Sequence, residues 1–475
     1  MEKYYKFLVG GEWRESEIIN EVRNPYNGEI VGRVYRASEK DAEDAIEIAS
    51  EAFKKTKKMP SYQRAEILSN IASKIKEEQT ELAEIITWEA GKPIKLSRTE
   101  VERAVSTFSI ASEEAKRING DYLTLDITSA SKGRTGITRR FPLGAILGIT
   151  PFNFPLNLSA HKIAPALACG NTVILRPSSQ CSITVLKLGE IILEAGALPG
   201  SINVLPSHTS VGEMLVRDQR LKLLTFTGSA EVGFYLKELA GKKRVVLELG
   251  GNAGVIVHSD ADIDFASDRC IIGGFGYSGQ VCISVQRIFL HEQIFKKFTD
   301  IFLEKVKNIK SGDPMNEDTL VGPMIDGNAL KRTEEWINEA VSNGAKVLSG
   351  GKRDGSLFEP TVLTDVSPDM KVCSNEIFAP VVTLTEYKDF FNAVKEVNNS
   401  RYGLQAGVFT NDIKRIWHAY ENIEVGGVII NDVPTFRVDH MPYGGVKDSG
   451  SGREGIKYAI EDMTELKLLV LNLGE

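Results

Sequence analysis

Three side chains in this 475-residue sequence have types that together support nucleophilic chemistry on a carbonyl group. Cys282 follows the glycine-rich run GFGYSGQV, so its thiol can be presented at the mouth of a cleft. Glu248 interrupts the apolar strand pattern VVLELGG, where burial would raise the pKa of its carboxyl and suit a general base. Asn153 lies between Pro151 and Pro155, where its amide can donate a hydrogen bond to an oxyanion.

Each of these residues also has a plain structural interpretation. A single cysteine is more often a small buried apolar residue than a nucleophile. Glu248 would be solvated on an edge strand, and Asn153 would be ordinary in an Asx turn. The other cysteines lie in helical or strand-like patterns, without a CxxC pair that would indicate a zinc site or a disulfide framework; they are Cys169, Cys181, Cys270 and Cys373.

Two loops between a strand and a helix have residue types that hold a nucleotide. LRPSS contains Arg176, Ser178 and Ser179, which can bind a ribose or a phosphate. FTGSAEVG contains Gly228, at which the backbone can approach a pyrophosphate closely. GFGYSG, before Cys282, also matches the dinucleotide fingerprint GxGxxG. A helical pattern precedes it where the fingerprint requires a strand, so we interpret that match as false.

The elements that must position these residues alternate between strand and helix. Residues 39–117 carry helical patterns, and from 144 to 258 short apolar runs alternate with helices. The same rhythm continues from 260 to about 450, which predicts two α/β domains with ligands at the carboxyl ends of parallel strands. In the segment 119–143, apolar and polar residues alternate on either side of a turn. This pattern predicts an exposed two-stranded arm that serves assembly.

Composition excludes several classes of protein. Lys and Arg total 57 and Asp and Glu total 64, which gives a net charge of −7, and 42 % of residues are hydrophobic, as in ordinary globular proteins. The chain has no basic block, so we predict no nucleic-acid partner. The sequence begins MEKYYKFLVGG, without the apolar core of a signal peptide, and no run of 18 apolar residues follows. We therefore predict a cytoplasmic protein with no membrane segment and no metal site.

Taken together, seven motifs in one order along the chain resemble the aldehyde dehydrogenase superfamily. They are TPFNFP, KIAPALACGNTVILRPSS, FTGSAEVG, LELGGN, GQVC, EIFAPV and PYGGVKDSGSGRE. The resemblance implies the α/β aldehyde dehydrogenase fold, with a Rossmann-like NAD(P)-binding domain over 1–118 and 144–250 and an α/β catalytic domain over 251–450. A small β oligomerisation element would comprise 119–143 and 451–475, in a homodimer or homotetramer.

The resemblance assigns roles to the three candidate catalytic residues. Cys282 is the nucleophile, Glu248 the general base, and the Asn153 amide forms the oxyanion hole with the Cys282 backbone N–H. The thiolate attacks an aldehyde, hydride leaves toward the nicotinamide, and hydrolysis of the thioester gives the free acid. Relatives that acylate coenzyme A look different at the Glu248 position, so its presence here favours hydrolysis. A coenzyme A-acylating semialdehyde dehydrogenase is the alternative.

The resemblance also implies the cofactor contacts. Glu376 is expected at the nicotinamide-side ribose, with Phe378 against the ring. Relatives that prefer NAD read Lys-Pro-x-Glu where this chain has Arg176 and Ser179, and loss of that carboxylate favours NADP over NAD. The expected cofactor residues are Thr150, Pro151, Phe152, Arg176, Ser178, Ser179, Gly228, Ser229, Val232, Leu249, Gly250, Glu376 and Phe378.

Within the superfamily the chain is most similar to the branch of lactaldehyde dehydrogenase and non-phosphorylating glyceraldehyde-3-phosphate dehydrogenase. We therefore expect oxidation of a lactaldehyde-like hydroxyaldehyde or a semialdehyde. The phosphate-using enzymes share Arg103 and Arg437 but have an arginine at Val281 and a tyrosine at Phe154, so glyceraldehyde 3-phosphate is the alternative. The expected substrate residues are Arg103, Phe154, Val281, Ile283 and Arg437.

Several residues in or near these motifs also fit a purely structural role. Arg103 is also ordinary on a solvated helix face, and Arg437 in a surface loop. Tyr443, in the PYGG run, fits a packing aromatic. His161 is best interpreted as a hydrogen-bonded structural histidine, because the expected mechanism needs no imidazole.

Overall fold

The structure is a computed structural model that describes residues 3–472. Residues 1–2 and 473–475, which the predicted domains include, lie outside it. Short strands come first and four helices follow, as the patterns over 39–117 predict. The elements up to residue 142 are β1 (Tyr4–Tyr5), β2 (Phe7–Val9), β3 (Glu12–Arg14), β4 (Ile19–Arg23), β5 (Ile30–Tyr35), α1 (Glu39–Thr56), α2 (Ser61–Glu77), α3 (Gln79–Ala90), α4 (Ile94–Glu114), β6 (Tyr122–Thr124) and β7 (Arg134–Pro142).

Local sequence signals set the ends of these helices. A capping box begins α1, in which the Ser38 hydroxyl accepts from the Asp41 N–H and the Asp41 carboxylate accepts from the Ser38 N–H. Gly91 ends α3 in the left-handed conformation at φ 64°, and Pro93 precedes α4. Gly91 and Pro93 therefore separate α3 from α4.

The first sheet is built by alternating strands and helices from residue 145 onward. Five parallel strands run in the order β12, β11, β8, β9, β10, and β2 and β3 extend the β10 side antiparallel. The chain reverses its direction of strand addition beside β8, where a crevice for ligands is expected. These elements are β8 (Ala145–Ile149), α5 (Pro155–Cys169), β9 (Thr172–Arg176), α6 (Ile183–Glu194), β10 (Ile202–Val204), α7 (Thr209–Arg217), β11 (Leu221–Thr227), α8 (Ala230–Leu239) and β12 (Arg244–Glu248).

The chain then passes to a second sheet of seven strands, six of them parallel. Their order is β15, β18, β19, β14, β13, β21, β22, with β15 antiparallel at the edge. The elements are β13 (Ala253–Val257), α9 (Ile263–Phe275), β14 (Val285–His291), α10 (Glu292–Lys307), α11 (Gly327–Ser342), β15 (Lys346–Ser349), β16 (Arg353–Asp354), β17 (Leu357–Phe358), β18 (Thr361–Thr364), α12 (Lys371–Ser374), β19 (Val381–Tyr387), α13 (Phe390–Asn398), β20 (Tyr402–Gly403), β21 (Gln405–Phe409), α14 (Ile413–Asn422) and β22 (Gly427–Ile430).

The last elements return to earlier parts of the fold. β23 (Val446–Lys447) pairs with β20, and β24 (Gly450–Ser451) pairs with β12 at the edge of the first sheet. α15 (Ile456–Asp462) packs on α5, and β25 (Thr464–Asn472) pairs along its whole length with β7. The predicted arm is the β6–β7 pair, and β25 completes its three-stranded sheet. Residues 451–472 thus divide between the first sheet and the arm.

The turn before Cys282 explains the false dinucleotide fingerprint. Tyr277 and Ser278 both adopt positive φ, and the Tyr277 ring is buried in the core. A Cβ on Gly279 would lie 2.1 Å from the Ala379 carbonyl oxygen, so only glycine lets the two backbones approach. The glycines serve backbone crowding ahead of Cys282, as we predict from the helix that precedes them.

Between residues 3 and 472, no helix is long and apolar enough to cross a membrane. Within the same range, no group of three or more His, Cys, Asp or Glu side chains is arranged to hold a metal ion.

Candidate active site

A cavity of about 590 Å³ lies at the carboxyl ends of β8, β11 and β12, and the turn that carries Cys282 forms its opposite wall. It includes all three predicted catalytic residues and eight of the expected cofactor residues. Its lining residues are Pro151, Phe152, Asn153, Leu158, Gln180, Thr227, Gly228, Ser229, Glu248, Leu249, Gly250, Gln280, Cys282, Ile325, Asp326, Asn328, Ala329, Arg332, Glu376 and Phe378.

Cys282 is the half-buried cysteine of the chain, and its sulfur lies 3.1 Å from the Tyr443 hydroxyl. Burial raises the pKa of its thiol to about 11, and the hydrogen bond with Tyr443 opposes that rise. Cys282 and Val281 pack against an apolar cluster of Ile283, Leu404 and Tyr443. The remaining four cysteines are fully buried, and burial raises the pKa of each, which confirms their structural assignment.

Glu248 ends β12 and is 3 % exposed, so its placement on a solvated edge strand is wrong. Within the described residues, neither of its carboxyl oxygens has a hydrogen-bond partner. Burial raises its pKa well above the usual range, and the nearby charge of Glu454 raises it further. The carboxyl therefore takes up a proton more readily than a solvated glutamate, and it lines the cavity.

Asn153 joins the two walls of the cavity. Its Nδ2 donates to the Gln280 carbonyl at 3.0 Å, two residues before Cys282. A side-chain amide has two N–H groups, so the second stays available for a ligand oxygen beside the sulfur. Asn153 is thus held against the Cys282 turn and is not simply the cap of a local Asx turn.

Glu376 also lines the cavity and is fixed by the Gly250–Gly251 backbone. Its Oε1 accepts from the Gly251 N–H at 3.0 Å, and a Cβ on Gly250 would lie 2.2 Å from Oε2. Burial raises the pKa of Glu376 to about 7. Phe378 adopts a positive φ of 51° and meets the Phe152 ring edge-on at 6.0 Å. This glycine-lined cradle with a carboxyl group fits a ribose beside a flat ring.

Five expected cofactor residues lie outside this cavity: Thr150, Arg176, Ser178, Ser179 and Val232. Arg176 ends β9, where its Nη2 donates to the Ser207 carbonyl at 3.1 Å and its buried Nε has no partner among the described residues. Burial lowers the pKa of Arg176, and the charge of Arg36 lowers it further. In the described part of the chain, neither guanidinium has a carboxylate within ion-pair distance, so the pair favours an added anion. Arg36 is outside the motifs, and sequence reasoning missed it.

The two expected substrate arginines are both paired with carboxylates. Arg103 lies 2.7 Å from Asp439, and Arg437 lies 2.8 Å from Glu454. The side chain of Arg437 is only 7 % exposed, so the surface-loop interpretation is wrong, and the paired Arg103 is only partly exposed. Phe154 is not among the residues that line the cavity. The buried Lys92 ammonium lies over its ring, 3.7 Å from the centroid.

A buried ionic network behind Cys282 was not predicted. Lys162 donates to Thr227 at 2.7 Å and to Glu454 at 3.5 Å, and Arg437 binds the other oxygen of Glu454. Burial alone would raise the pKa of Glu454, but the charges of Lys162 and Arg437 outweigh burial and lower it to about 2. Lys162 in KIAPAL and Glu454 in SGRE could have indicated this network from the sequence, since charged residues in apolar surroundings need partners.

His161 has the structural role expected from the sequence. Its Nε2 lies 2.8 Å from Asp439, which also accepts hydrogen bonds from Arg103 and Asn157. Burial lowers the pKa of His161, and the charge of Arg437 lowers it further. The imidazole is therefore neutral at physiological pH and acts as a hydrogen-bonding group between α5 and the segment that contains Asp439.

Comparison with known proteins shows similarity along nearly the whole chain. The model described as the aldehyde dehydrogenase family matches residues 13–469. A 3-sulfolactaldehyde dehydrogenase of Priestia aryabhattai is 45 % identical over 472 residues, which cover 99 % of this chain and 98 % of that protein. A lactaldehyde dehydrogenase of Methanococcus aeolicus is 42 % identical over 470 residues, which cover 98 % and 99 %.

Solved structures show the same fold. Aldehyde dehydrogenase 21 from Physcomitrella patens, in complex with its reaction product succinate, matches with a TM-score of 0.98 and 45 % identity, and the match covers 100 % of this chain and 99 % of that chain. The glyceraldehyde-3-phosphate dehydrogenase GapN from Methanocaldococcus jannaschii, complexed with NADP, matches with a TM-score of 0.92 and 41 % identity over 97 % and 99 % of the two chains.

Proposed function

The chain belongs to the aldehyde dehydrogenase family, and from that premise we propose that it oxidises a small polar aldehyde to the free carboxylic acid with NAD(P). The family and the fold predicted from the seven motifs are confirmed. The observation that carries the proposed activity is the meeting of Cys282, Glu248 and Asn153 in one cavity. A thiol, a carboxyl group and an amide donor are the groups that this oxidation requires.

Cys282 and Asn153 serve the first half of the reaction. The Cys282 thiolate forms a bond to the aldehyde carbon, and the carbonyl electron pair moves to the oxygen. The Asn153 amide and the Cys282 backbone N–H stabilise that oxyanion. Bound NAD(P) supplies the hydride acceptor, and loss of hydride leaves an acyl thioester on the sulfur.

Glu248 serves the second half. Its carboxylate takes a proton from water, the water oxygen attacks the thioester carbon, and the C–S bond breaks to release the acid and the thiolate. Burial raises the pKa of Glu248, so the ionised fraction increases as pH rises through that pKa, and hydrolysis accelerates with it. The presence of this carboxyl in the cavity supports hydrolysis over transfer of the acyl group to coenzyme A.

Glu248→Gln should separate the two halves of the reaction. The amide resembles the neutral carboxyl in size and charge, so we expect a burst of about one reduced cofactor per site, followed by a steady-state rate about 10²- to 10⁴-fold lower. Rapid-mixing absorbance of the reduced cofactor measures both phases. Cys282→Ala is the control and should give no burst. An unchanged steady-state rate, or acyl-coenzyme A in place of free acid, contradicts the assignment of Glu248 as the base.

The residues at the carboxyl end of β9 favour NADP over NAD as the cofactor. Among the described residues, neither Arg176 nor the nearby Arg36 has a carboxylate within ion-pair distance. Ser179 stands where NAD-preferring relatives have a glutamate. A 2′-phosphate would neutralise the two guanidinium groups, whereas a glutamate there would repel it. The complex of the Methanocaldococcus jannaschii enzyme with NADP supports the same preference.

Ser179→Glu should reverse the cofactor preference. The new carboxylate pairs with Arg176 and repels the 2′-phosphate, so the ratio of Kd for NADP to Kd for NAD should rise by about tenfold or more, which corresponds to ~1.4 kcal/mol. Quenching of tryptophan fluorescence measures both constants. Ser73→Glu adds the same charge on an exposed face of α2 and should leave the ratio unchanged. Tighter binding of NAD than NADP by the unsubstituted chain contradicts the proposal.

A substrate with a hydroxyl group or a single negative charge fits the substrate side of Cys282. Arg103 and Arg437 are already paired with Asp439 and Glu454, and Val281 adds no charge. The relatives act on similar molecules: sulfolactaldehyde carries one sulfonate, and a product succinate implies an aldehyde with one carboxylate. Glyceraldehyde 3-phosphate is the second candidate, because of the likeness to GapN.

The ratio of kcat/KM values should favour lactaldehyde or succinate semialdehyde over glyceraldehyde 3-phosphate by about tenfold or more, because a second phosphate charge finds no free cation. Initial rates of cofactor reduction at saturating NADP give the ratio. Val281→Arg should raise the relative rate with the phosphate, whereas Val281→Leu should not. A preference for the phosphate in the unsubstituted chain would mean that Arg103 and Arg437 suffice for a phosphate.

Assembly into a homodimer or homotetramer is the accompanying proposal. The sheet β6–β7–β25 exposes apolar side chains on both of its faces. Leu466, Leu468 and Val470 alternate with Leu469 along β25, and each is about half exposed. A three-stranded sheet with two uncovered apolar faces is unstable alone in water, so a second copy of the chain is expected to cover it.

Leu468→Asp should reduce the size of the assembly, because a charge in a buried apolar contact costs several kcal/mol when unpaired. Light scattering coupled to size-exclusion chromatography measures the mass. Val341→Asp, which adds the same charge to an exposed apolar position on α11, is the matched control and should leave the mass unchanged. An unsubstituted chain that elutes as a monomer at micromolar concentration contradicts the proposal.

A further inference from the structure

Tyr443 lies in the motif PYGGVKDSGSGRE, but the resemblance assigned no role to it. Its hydroxyl lies 3.1 Å from the Cys282 sulfur, and its side chain is 3 % exposed. In residues 3–472, that sulfur is the one hydrogen-bond partner of the Tyr443 hydroxyl. A buried phenol needs a partner, and here the partner is the atom that would attack the substrate.

The surroundings hold the Tyr443 ring in this place. The Tyr443 backbone N–H donates to the Glu454 carbonyl at 3.1 Å, and the Glu454 backbone N–H donates to the Tyr443 carbonyl at 2.6 Å. The Arg437 guanidinium stacks over the ring, 3.7 Å from the centroid, and is itself bound to the Glu454 carboxylate. A cation on the face of a phenol withdraws electron density from the ring and makes the hydroxyl a stronger donor.

The direction of the hydrogen bond depends on the state of the sulfur. A thiol can donate to the phenol oxygen or accept from the phenol hydroxyl, but a thiolate can only accept. A hydrogen bond to an ionised acceptor is about twice as strong as one between neutral groups. The contact between Tyr443 and Cys282 therefore gains most in the thiolate state, and it favours ionisation of the sulfur.

From this geometry we infer that Tyr443 is a catalytic residue that donates its hydroxyl proton in a hydrogen bond to the Cys282 thiolate and so increases the reactive fraction of the nucleophile. The inference rests on the proposed function. The sulfur loses its proton to water, and Tyr443 keeps its own proton throughout. When the sulfur bonds to the aldehyde carbon, negative charge moves to the carbonyl oxygen and the hydrogen bond weakens without any transfer.

Other charged groups also act on this sulfur. The negative charges of Glu376 and Glu248 oppose ionisation of Cys282, whereas the positive charge of Arg437 favours it. Glu454 and Lys162 act on the site through their pairing behind Arg437. A test of Tyr443 must therefore leave all five groups in place and change the hydroxyl alone.

Tyr443→Phe meets that requirement because it keeps the ring under Arg437. The test is the rate of iodoacetamide modification of Cys282 in the full chain as a function of pH, followed by peptide mass spectrometry. We expect the midpoint of the profile to rise by about one pH unit, with a rate about tenfold lower below the midpoint. Tyr387→Phe removes another buried hydroxyl, which is bound to His258, and should leave the profile unchanged.

Incorporation of 3-fluorotyrosine at position 443 gives a second test that preserves the fold and the hydroxyl. Its more acidic phenol is a stronger donor, so the midpoint should fall. An unchanged midpoint in both variants overturns the role of Tyr443, whereas opposite shifts support it. The measurement needs no substrate or turnover, so a chain that fails to oxidise any aldehyde would disprove the proposed function without moving this profile.

Discussion

A buried carboxylate, Glu454, binds two cations that come from distant parts of the chain. Lys162 lies on α5, and Arg437 lies in the segment after β22. Removal of one member of such a buried set leaves unpaired charge in the interior and costs about 3–5 kcal/mol. The arrangement therefore fixes Lys162 beneath β11 and Arg437 above Tyr443, and with them the two sides of the region behind Cys282.

The same cations act unequally on the pKa values of two neighbouring carboxyl groups. Glu454 and Glu248 share one poorly solvated region, and each raises the free energy of charging the other. Lys162 and Arg437 bind Glu454 directly, which lowers its pKa, whereas Glu248 has no hydrogen-bond partner in residues 3–472 and its pKa is raised. Two chemically alike groups thus have pKa values shifted in opposite directions, and the one with the raised pKa lines the cavity.

The strands and helices of both sheets could be predicted because their signal is local. Apolar periodicity, the capping box at Ser38 and the stop at Gly91 each involve residues a few positions apart. Cys282, Glu248 and Asn153 could be predicted because each lies in a short motif at a strand end. That the three side chains lie in one cavity could not be derived from their separation along the sequence.

The contacts that sequence reasoning missed join residues far apart in the chain. Tyr443 and Cys282 are 161 positions apart, and Lys162 and Glu454 are 292 apart. The burial of Arg437 follows from its partner Glu454, and neither residue type alone indicates an interior position. Only the three-dimensional structure shows that the tyrosine of PYGG touches the Cys282 sulfur.

The return of the chain from the second sheet to the first affects the order in which the protein can fold during synthesis. β24 and α15 join elements that precede residue 249, and β25 pairs with β7 across more than 300 positions. Until residues 450–472 leave the ribosome, Lys162 lacks Glu454 and the arm lacks its longest neighbour. The first sheet therefore stays incomplete while the second forms, and folding depends on late, non-local contacts. A chain that terminates early would leave the Lys162 ammonium without its carboxylate partner.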